Sequence, residues 1–302
     1  MYVGVDVGGT KVLAVAIQDR GPGIEVIGSV TVPMPGRAAP EAEIEHAMAR
    51  AARAVATGTG TVRGVGISGA GLVDAAGERV RFAAHLPWRD APVRSRLEGL
   101  LGVPATLDND ANCAAYAEIV GGAARGVDSA VLITVGTGIG GALVLGGRLH
   151  RGANGAAGEF GHVQVVPDGL ACECGLRGCW EQYCSGRALE RVMRVAVGRH
   201  YDGPQVTALA RGGDEVAVRS IASVGTWLGV GAAGLVSAFD PEVVIVGGGV
   251  SAVGDLLLDP ARAAMAESLQ GAGYRVVPEL VPAAFGPEAG AIGAALLARD
   301  GR

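Results

Sequence analysis

One short segment of the sequence combines a histidine with three closely spaced cysteines. The residues are His162, Cys172, Cys174 and Cys179. Three thiolates and one imidazole complete the four-coordinate set that zinc takes in structural sites, with no position left open for a substrate. We therefore predict a structural zinc ion here rather than a catalytic one. The alternative reading is a set of free thiols in a loop, which clustering of this kind disfavours.

Two glutamates, Glu159 and Glu181, bracket this cysteine segment. Carboxylates accept several hydrogen bonds, which suits the neighbouring hydroxyls of a sugar. Attachment to a rigid metal loop favours such a binding role. The alternative is that both glutamates are solvated surface groups.

Polar residues also cluster where a predicted strand meets a predicted helix, in the run LDNDAN at 107–112. A carboxylate at this junction could accept a proton from a hydroxyl group, as a general base must. Asp and Asn are equally the preferred residues for capping a helix. One of Asp108, Asn109 and Asp110 is expected to be the cap, which leaves at least one polar group for other work.

Four glycine-rich turns follow apolar runs, at 8–9, 69–71, 136–141 and 247–249. Without a Cβ, successive backbone N–H groups can face the oxygens of a phosphate. Each turn taken singly is also ordinary turn chemistry, but the recurrence of four favours nucleotide binding. The run at 136–141 fits G-x-G-x-x-G but precedes a strand-like segment, so it is not a dinucleotide fingerprint.

Asp6 directly precedes the first of these turns. A carboxylate there could hold a Mg²⁺ ion through water, since Mg²⁺ retains much of its hydration shell. The alternative is an Asp that caps the turn. The spacing by itself leaves both readings open.

The elements that must position these residues show an internal repeat. Residues 2–17 and 131–145 each consist of an apolar run, a glycine turn and a second apolar run, which predicts two related β-hairpins. Alternating strands and helices follow each hairpin, so we predict an α/β fold with two lobes. The first lobe is predicted at 1–115, with the helix at 290–302 packing back on it. The second is predicted at 116–289 and contains the zinc loop.

Composition narrows the function classes further. The chain has 302 residues, a net charge of −5, and 51 glycines that must serve turns and close backbone approaches. No run of basic residues marks a nucleic-acid or membrane surface, and Lys11 is the only lysine. The charge-free stretch 220–239 is interpreted as a buried helix, and the N-terminus has no signal-peptide pattern, so a cytoplasmic protein is expected.

Taken together, seven segments of the chain resemble the ROK family (repressor, open reading frame, kinase) of sugar kinases. The segments are DVGGTK at 6–11, GISGAGLVD at 66–74, LDNDANCAAYAE at 107–118, LITVGTGIGGALVLGG at 132–147, RGANGAAGEFGH at 151–162, CECGLRGCWEQYCSG at 172–186 and VVIVGGGVS at 243–251. The resemblance therefore covers nearly the whole chain. The cysteine segment is most similar to that of the actinobacterial-type ATP-dependent glucokinases within the family.

The resemblance implies an actin-like, ribonuclease-H-like ATPase fold with two lobes around a cleft. It implies transfer of a phosphoryl group from ATP, with Mg²⁺, to the 6-hydroxyl of a hexose, most simply glucose. By the family's motifs, Asp110 is the general base. The substrate residues implied are Asn109, Asp110, Glu159, His162, Glu181 and Gly71, with His162 also a zinc ligand. The nucleotide and metal residues implied are Asp6, Gly8, Gly9, Thr10, Lys11, Thr137, Gly138, Gly247, Gly248 and Gly249.

The sequence departs from the family pattern at Ala84 and His85, where many members have Pro-Asn on the sugar side. Kinases for N-acetylmannosamine or N-acetylglucosamine are thus alternative readings, and polyphosphate is an alternative donor.

A non-catalytic sugar-sensing regulator is disfavoured because the first hairpin begins at residue 2, which leaves no room for a winged helix. A zinc-binding interaction module is a further alternative, although it would not need Asp6, Lys11 and Asp110. A homodimer or homotetramer is expected, without nucleic-acid or membrane partners.

Overall fold

A β-hairpin with a glycine turn opens the chain in the computed structural model, which describes residues 1–18, 23–36, 39–58 and 60–301. Its strands are β1 (Tyr2–Val7) and β2 (Lys11–Ile17), paired antiparallel. The apolar residues on both strands are almost fully buried, which explains why the runs are nearly continuous rather than alternating. The hairpin predicted at 2–17 is therefore present.

This hairpin belongs to the first of two compact units into which the chain divides. The unit comprises residues 1–126, 147–158 and 287–302. Its main sheet adds three strands to the hairpin, β3 (Val26–Pro33), β4 (Gly64–Gly69) and β8 (Ala105–Asn109). The strand order is β3-β2-β1-β4-β8, with β4 and β8 parallel to β1. A small sheet contains β5 (Leu72–Val73), β6 (Val80–Phe82) and β7 (Arg89–Ala91).

Helices cover both faces of this sheet. They are α1 (Glu41–Ala56), α2 (Val93–Leu101), α3 (Asp110–Gly121) and, from the end of the chain, α8 (Ala289–Asp300). Helix α8 packs so closely on β1 and β4 that a Cβ on Gly4 would lie 1.8 Å from the Ala291 carbonyl oxygen. A Cβ on Gly66 would meet the Ala294 carbonyl at the same distance. Glycine in these strands thus allows the C-terminal helix to seat on the sheet.

The second unit comprises residues 127–146 and 159–286 and repeats the plan of the first. An antiparallel hairpin pairs β9 (Ser129–Val135) with β10 (Ile139–Leu145), as predicted for 131–145. Strand β12 (Val243–Gly247) lies parallel to β9, and β13 (Glu279–Pro282) lies parallel to β12. The short strand β11 (Arg148–Leu149) belongs to the first unit.

Four helices complete the second unit. They are α4 (Gly186–Val197), α5 (Gly203–Arg211), α6 (Glu215–Phe239) and α7 (Asp255–Ser268). Among the described residues, α6 is the one helix long and apolar enough to cross a membrane. One face of α6 packs against α7, and a Cβ on Gly229 would lie 2.2 Å from the Ala261 carbonyl oxygen. That packing matches the interpretation of 220–239 as a buried core helix.

The unit boundaries differ from the predicted lobes 1–115 and 116–289. The first unit extends to residue 126 because the single helix α3 runs from Asp110 to Gly121 and packs on α8. Residues 147–158 also return to the first unit, which no local pattern in the sequence predicts.

Candidate active site

The carboxyl ends of β4 and β8 and the start of α3 form a polar corner, which we define as residues 108–110. Asn109 is the N-cap of α3, because its side-chain oxygen accepts from the N–H groups of Ala111 at 2.9 Å and Asn112 at 3.2 Å. Its amide nitrogen donates to the Gly71 carbonyl at 3.0 Å. Gly71 itself has φ +118°, and a Cβ there would clash with the Phe82 carbonyl.

Asp108 is committed to a different structural role. Its side chain is buried and paired with Arg151, whose Nη2 lies 2.7 Å from Oδ2. Its other oxygen accepts from the Asn112 amide at 2.9 Å. With Asp108 in an ion pair and Asn109 at the cap, Asp110 is the residue of the corner that remains for chemistry. The structure thus gives Asp108, Asn109 and Asp110 three different environments, which the sequence alone did not distinguish.

Asp110 has the environment of a general base. It is partly buried, and among the described residues it makes no ion pair. Burial raises the pKa of its carboxyl above the ordinary value, although the N–H of Ala111, 2.9 Å from Oδ1, opposes that shift. A carboxylate with a raised pKa is a stronger proton acceptor near neutral pH.

Asp6 lies on β1, opposite Ser68 on the adjacent strand β4, and the Ser68 hydroxyl donates a hydrogen bond to its carboxylate. Burial raises the pKa of Asp6 to about 6, and the negative charge of Asp110 adds to the shift. The N-terminal end of α8 is close, since a Cβ on Gly290 would lie 2.9 Å from Asp6 Oδ1. The turn after Asp6 is instead closed by its backbone, with the Gly8 N–H donating to the Lys11 carbonyl at 3.1 Å. Asp6 is therefore not the turn's cap.

The glycine turn of the first hairpin presents an exposed backbone and the one lysine. Gly9, Thr10 and Lys11 are exposed, and no heavy atom lies within 4 Å of a Cβ built on Gly9. The positive charge of Lys11 acts to lower the pKa of Asp6. The turn therefore offers backbone N–H groups and a cation to an anionic ligand.

The corresponding turn of the second unit lies between β9 and β10. Thr137 is exposed there, and a Cβ on Gly138 would lie 2.5 Å from the Glu181 carboxylate. The glycine run at 247–249 follows β12. There Gly248 has φ +87° and approaches β9 so closely that a Cβ would lie 2.5 Å from the Val135 carbonyl oxygen. Gly248 is thus required by packing, whatever its part in binding.

The predicted metal ligands come together in the second unit. The ligand atoms of His162, Cys172, Cys174 and Cys179 all lie within 4.8 Å of one another. The sulfurs of Cys174 and Cys179 are 3.6 Å apart, and Cys172 Sγ is 3.8 Å from His162 Nδ1. Zinc–sulfur bonds of about 2.3 Å in a tetrahedron place ligand atoms roughly 3.8 Å apart, so the set fits zinc. Burial raises the pKa of the Cys172 thiol to about 12, and a bound zinc ion would offset this by stabilising the thiolate.

The loop that carries this cluster, residues 159–181 (the metal loop), contains little regular structure. It has two 3₁₀ turns, at Phe160–His162 and Trp180–Gln182, and two isolated β-bridges. Gly178 has φ +75° and lies against the Val166 carbonyl, where a Cβ would be only 1.7 Å away. The buried Trp180 anchors the end of the loop by donating to the Trp227 carbonyl of α6 at 2.7 Å.

The two predicted sugar-binding glutamates flank the imidazole of His162 at the predicted metal cluster. Glu181 Oε1 lies 3.2 Å from Cys172 Sγ and 3.9 Å from His162 Nδ1. Glu159 lies on the other side of the imidazole, with its carboxylate 4.0 Å from Nε2. The imidazole with a carboxylate on each side offers polar atoms that suit sugar hydroxyls.

Arg151 and Ser68 contact predicted site residues or their neighbours, although the sequence motifs do not predict either contact. Ser68 lies within the motif at 66–74, where the surrounding glycines indicate a backbone role rather than a hydroxyl one. Arg151 begins the motif at 151–162 and is 43 residues away from its partner Asp108 in the chain. Only the return of residues 147–158 to the first unit brings the two together.

Comparison with known proteins gives consistent matches over the whole chain. The sequence pattern of the ROK family matches residues 2–301. A glucokinase from Streptomyces coelicolor is 40% identical over 317 residues, covering 99% of this chain and 98% of the relative.

Solved structures give the same result. A ROK family glucokinase from Streptomyces griseus, in complex with glucose and AMPPNP, matches with a TM-score of 0.92, at 40% identity and 99% coverage of both chains. A ROK hexokinase from Thermus thermophilus matches with a TM-score of 0.78, at 38% identity and 98% coverage of this chain and 97% of that one. These matches confirm the predicted family resemblance and the actin-like α/β fold class.

Proposed function

Because the chain belongs to the ROK family, we propose that it is an ATP-dependent hexose kinase that converts glucose to glucose 6-phosphate. The likeness to named glucokinases over nearly the full chain supports both the reaction and the sugar. The observation that carries the proposal is the corner at 108–110. There Asp108 and Asn109 are held by structural bonds and Asp110 keeps a partly buried carboxylate with a raised pKa.

Asp110 is proposed to accept the proton of the sugar 6-hydroxyl. The 6-oxygen attacks the γ-phosphorus of ATP, and the bond from that phosphorus to the β–γ bridging oxygen breaks to release ADP. Phosphoryl transfer of this kind depends on positioning and charge neutralisation more than on covalent help from the protein. Holding the oxygen in line and taking its proton late is therefore the main chemical task of this carboxylate.

The polar group around His162 is proposed to hold the other hydroxyls. Glu159 and Glu181 accept hydrogen bonds from them, and His162 Nε2 contributes from the imidazole between the two carboxylates. Asn109 adds its amide from the corner, and the Gly71 carbonyl orients that amide. Zinc on the four-ligand cluster would supply rigidity, since its ligand set is closed.

The glycine turns are proposed to hold ATP. The residues proposed for the phosphates are Gly8, Gly9, Thr10, Lys11, Thr137 and Gly138, and those proposed for the adenosine are Gly247, Gly248 and Gly249. Asp6 is the proposed carboxylate for Mg²⁺, which would neutralise phosphate charge when bound. A cytoplasmic location and a homodimer or homotetramer remain predictions from the sequence.

The test is a coupled assay of ADP release from the purified protein. The sugars are glucose, mannose, fructose, N-acetylglucosamine and N-acetylmannosamine, each with ATP and with polyphosphate; with polyphosphate, phosphorylated sugar is measured directly. We expect the highest kcat/KM for glucose with ATP. A preference for an N-acetylated sugar would shift the assignment to an amino-sugar kinase, and no turnover with any sugar would contradict the proposal.

A further inference from the structure

Both carboxylate oxygens of Asp108 are held by neighbouring side chains or backbone, although Asp108 is not itself proposed to contact substrate. Arg151 donates to its Oδ2 from Nε at 2.8 Å and approaches the same oxygen with Nη2 at 2.7 Å. The other oxygen, Oδ1, accepts from the Asn112 amide at 2.9 Å and from the Asn109 backbone N–H at 2.8 Å. Two hydrogen bonds to Oδ1, and one hydrogen bond with an ion-pair contact to Oδ2, thus occupy both oxygens of the carboxylate.

Arg151 is in turn held by a small closed loop of the first unit. The Ala157 N–H donates to the Arg151 carbonyl at 3.0 Å, which closes residues 151–157. Gly155, with φ +80°, lies against β5, where a Cβ would be 2.3 Å from the Val73 carbonyl oxygen. The arginine therefore projects from a backbone that is fixed on the same unit as Asp108.

We propose that Arg151 is a positioning residue for the base Asp110. The bonds of Asp108 span the corner, from the Asn109 backbone to the Asn112 side chain, and Asp110 lies between those two residues. Arg151 holds the Asp108 carboxylate in the orientation that makes both bonds. The inference rests on the proposed function, since it takes Asp110 to be the base.

Loss of Arg151 has a definite structural consequence. Asp108 is only 5% exposed, so it would be left as a buried charge without a partner. Turning toward water would relieve that charge but would release Asn109 and Asn112, and with them the first turn of α3. A displacement of the reacting group by about 1 Å can cost about a hundredfold in rate.

The chain contains a matched control for this ion pair. Arg96 lies 2.8 Å from Glu45, with side-chain exposures of 39% and 6%, against 34% and 6% for Arg151 and Asp108. Arg96 also contacts the partly exposed Glu41, so each arginine makes two contacts to carboxylate oxygens. The control pair joins α2 to α1 in the same unit, and among the described residues it makes no bond to the corner. Any effect of losing a half-buried ion pair on stability should therefore be similar at the two places.

The experiment compares Arg151→Gln and Arg151→Lys with Arg96→Gln and Arg96→Lys. We measure Tm, kcat, the KM for ATP and the dissociation constant for glucose. The two Gln variants should lose similar Tm. Arg151→Gln should lose about tenfold or more in kcat with a KM for ATP within about twofold of wild type, and Arg151→Lys should retain more kcat. Both Arg96 variants should keep kcat within about twofold.

Chemical rescue separates positioning from a general loss of folding. Asp108 and Arg151 both line a cavity of about 530 Å³, so a small cation can reach the place of a deleted guanidinium. Millimolar guanidinium should restore kcat in Arg151→Ala and leave kcat of Arg96→Ala unchanged. If Arg151→Gln does not fold, Arg151→Lys and the rescue carry the test.

Arg151 variants with the kcat of the Arg96 variants would overturn the positioning role. Asp110→Asn is measured in parallel, so that the two proposals can fail separately. An inactive Asp110→Asn beside fully active Arg151 variants would remove only the positioning role. A fully active Asp110→Asn would remove the base itself and with it the premise of the inference.

Discussion

The corner at 108–110 and the metal loop at 159–181 position polar groups by different physical means. The corner lies where a strand passes into a helix, so hydrogen bonds of regular structure and one buried ion pair fix its side chains. The metal loop has only short 3₁₀ turns and isolated bridges, and its four predicted metal ligands lie together. The hydrogen bonds of the fold order the corner, whereas we expect the order of the metal loop to depend on a bound zinc ion.

The difference extends to electrostatics. In the corner and the adjoining strand β1, burial raises the pKa of Asp110 and of Asp6. In the metal loop, Glu159 is exposed and Glu181 lies beside the cluster. Changes in the corner should therefore act on proton transfer, and changes in the loop should act on stability and sugar affinity.

The largest expected effect is that of Asp110→Asn in the corner. The amide keeps the oxygen that accepts from the Ala111 N–H, so Tm should stay within about 2 °C of wild type. Without a proton acceptor, kcat should fall by about 10²–10⁴-fold, while glucose affinity is largely retained. ADP release and calorimetric glucose binding measure the two quantities. A near-normal kcat for Asp110→Asn would contradict the assignment of proton transfer to the corner.

Removal of one zinc ligand should instead affect the metal loop. Cys174→Ser is expected to lose bound zinc and to lower Tm by roughly 5–10 °C, since a unit of this size loses about 2–4 °C per kcal/mol. The KM for glucose should rise more than kcat falls, because Glu181 and His162 lose their support. Elemental analysis and thermal melts measure the effect. Cys184→Ala is the control, because Cys184 is buried and lies outside the predicted ligand set. Retention of one zinc ion per chain in Cys174→Ser would rule out the predicted ligand set.

The raised pKa of Asp6 gives a pH-dependent prediction for the strand beside the corner. The folded protein holds the Asp6 proton with a pKa of about 6 against an ordinary 3.8, so the free energy of unfolding decreases as pH rises through that interval. Asp6→Asn has no such proton to lose. It should be more stable than wild type by roughly 1–3 kcal/mol at pH 7.5 and equal to it near pH 4, at the expense of activity.

Urea unfolding of Asp6→Asn and wild type at the two pH values measures this difference. Asp74→Asn is a suitable control, because its carboxylate accepts from the N–H groups of Glu78 and Arg79 in an exposed turn. A difference in stability between Asp6→Asn and wild type that is the same at pH 4 and pH 7.5 would contradict the buried-carboxylate account.

The smallest expected effect comes from Gly138→Ala in the second hairpin turn. Its Cβ would lie 2.5 Å from Glu181 Oε2, so this flexible carboxylate must move. The KM for glucose should rise by about three- to tenfold, which corresponds to the loss of one modest hydrogen bond. Gly136→Ala is the control in the same turn, since no heavy atom lies within 4 Å of its Cβ. Equal KM values for glucose in the two variants would contradict the proposed role of Glu181 in sugar binding.

Local patterns in the sequence predicted much of this arrangement. The two hairpins follow from apolar runs around glycine turns, and the grouping of one histidine with three cysteines follows from their short spacing. The presence of a helix cap within Asp108–Asp110 was also predictable, because Asp and Asn are preferred there. These features depend on neighbours in the chain, which a single sequence contains.

Features that depend on distant segments were not predictable. No local pattern shows that Asn109 is the cap and that Asp108 forms an ion pair. The partner of Asp108 is Arg151, which lies 43 residues away in the chain. The boundary near residue 126 likewise depends on the packing of α3 against the C-terminal helix. The roles of individual site residues stay predictions until they are measured.

The account depends most on Asp110 facing the oxygen that is to be phosphorylated. A crystal structure of the protein with glucose and a non-hydrolysable ATP analogue tests this directly. We predict the glucose 6-oxygen within about 2.6–3.2 Å of an Asp110 carboxylate oxygen. A 6-oxygen bound instead to another acidic side chain, with Asp110 turned away from the sugar, would contradict the account.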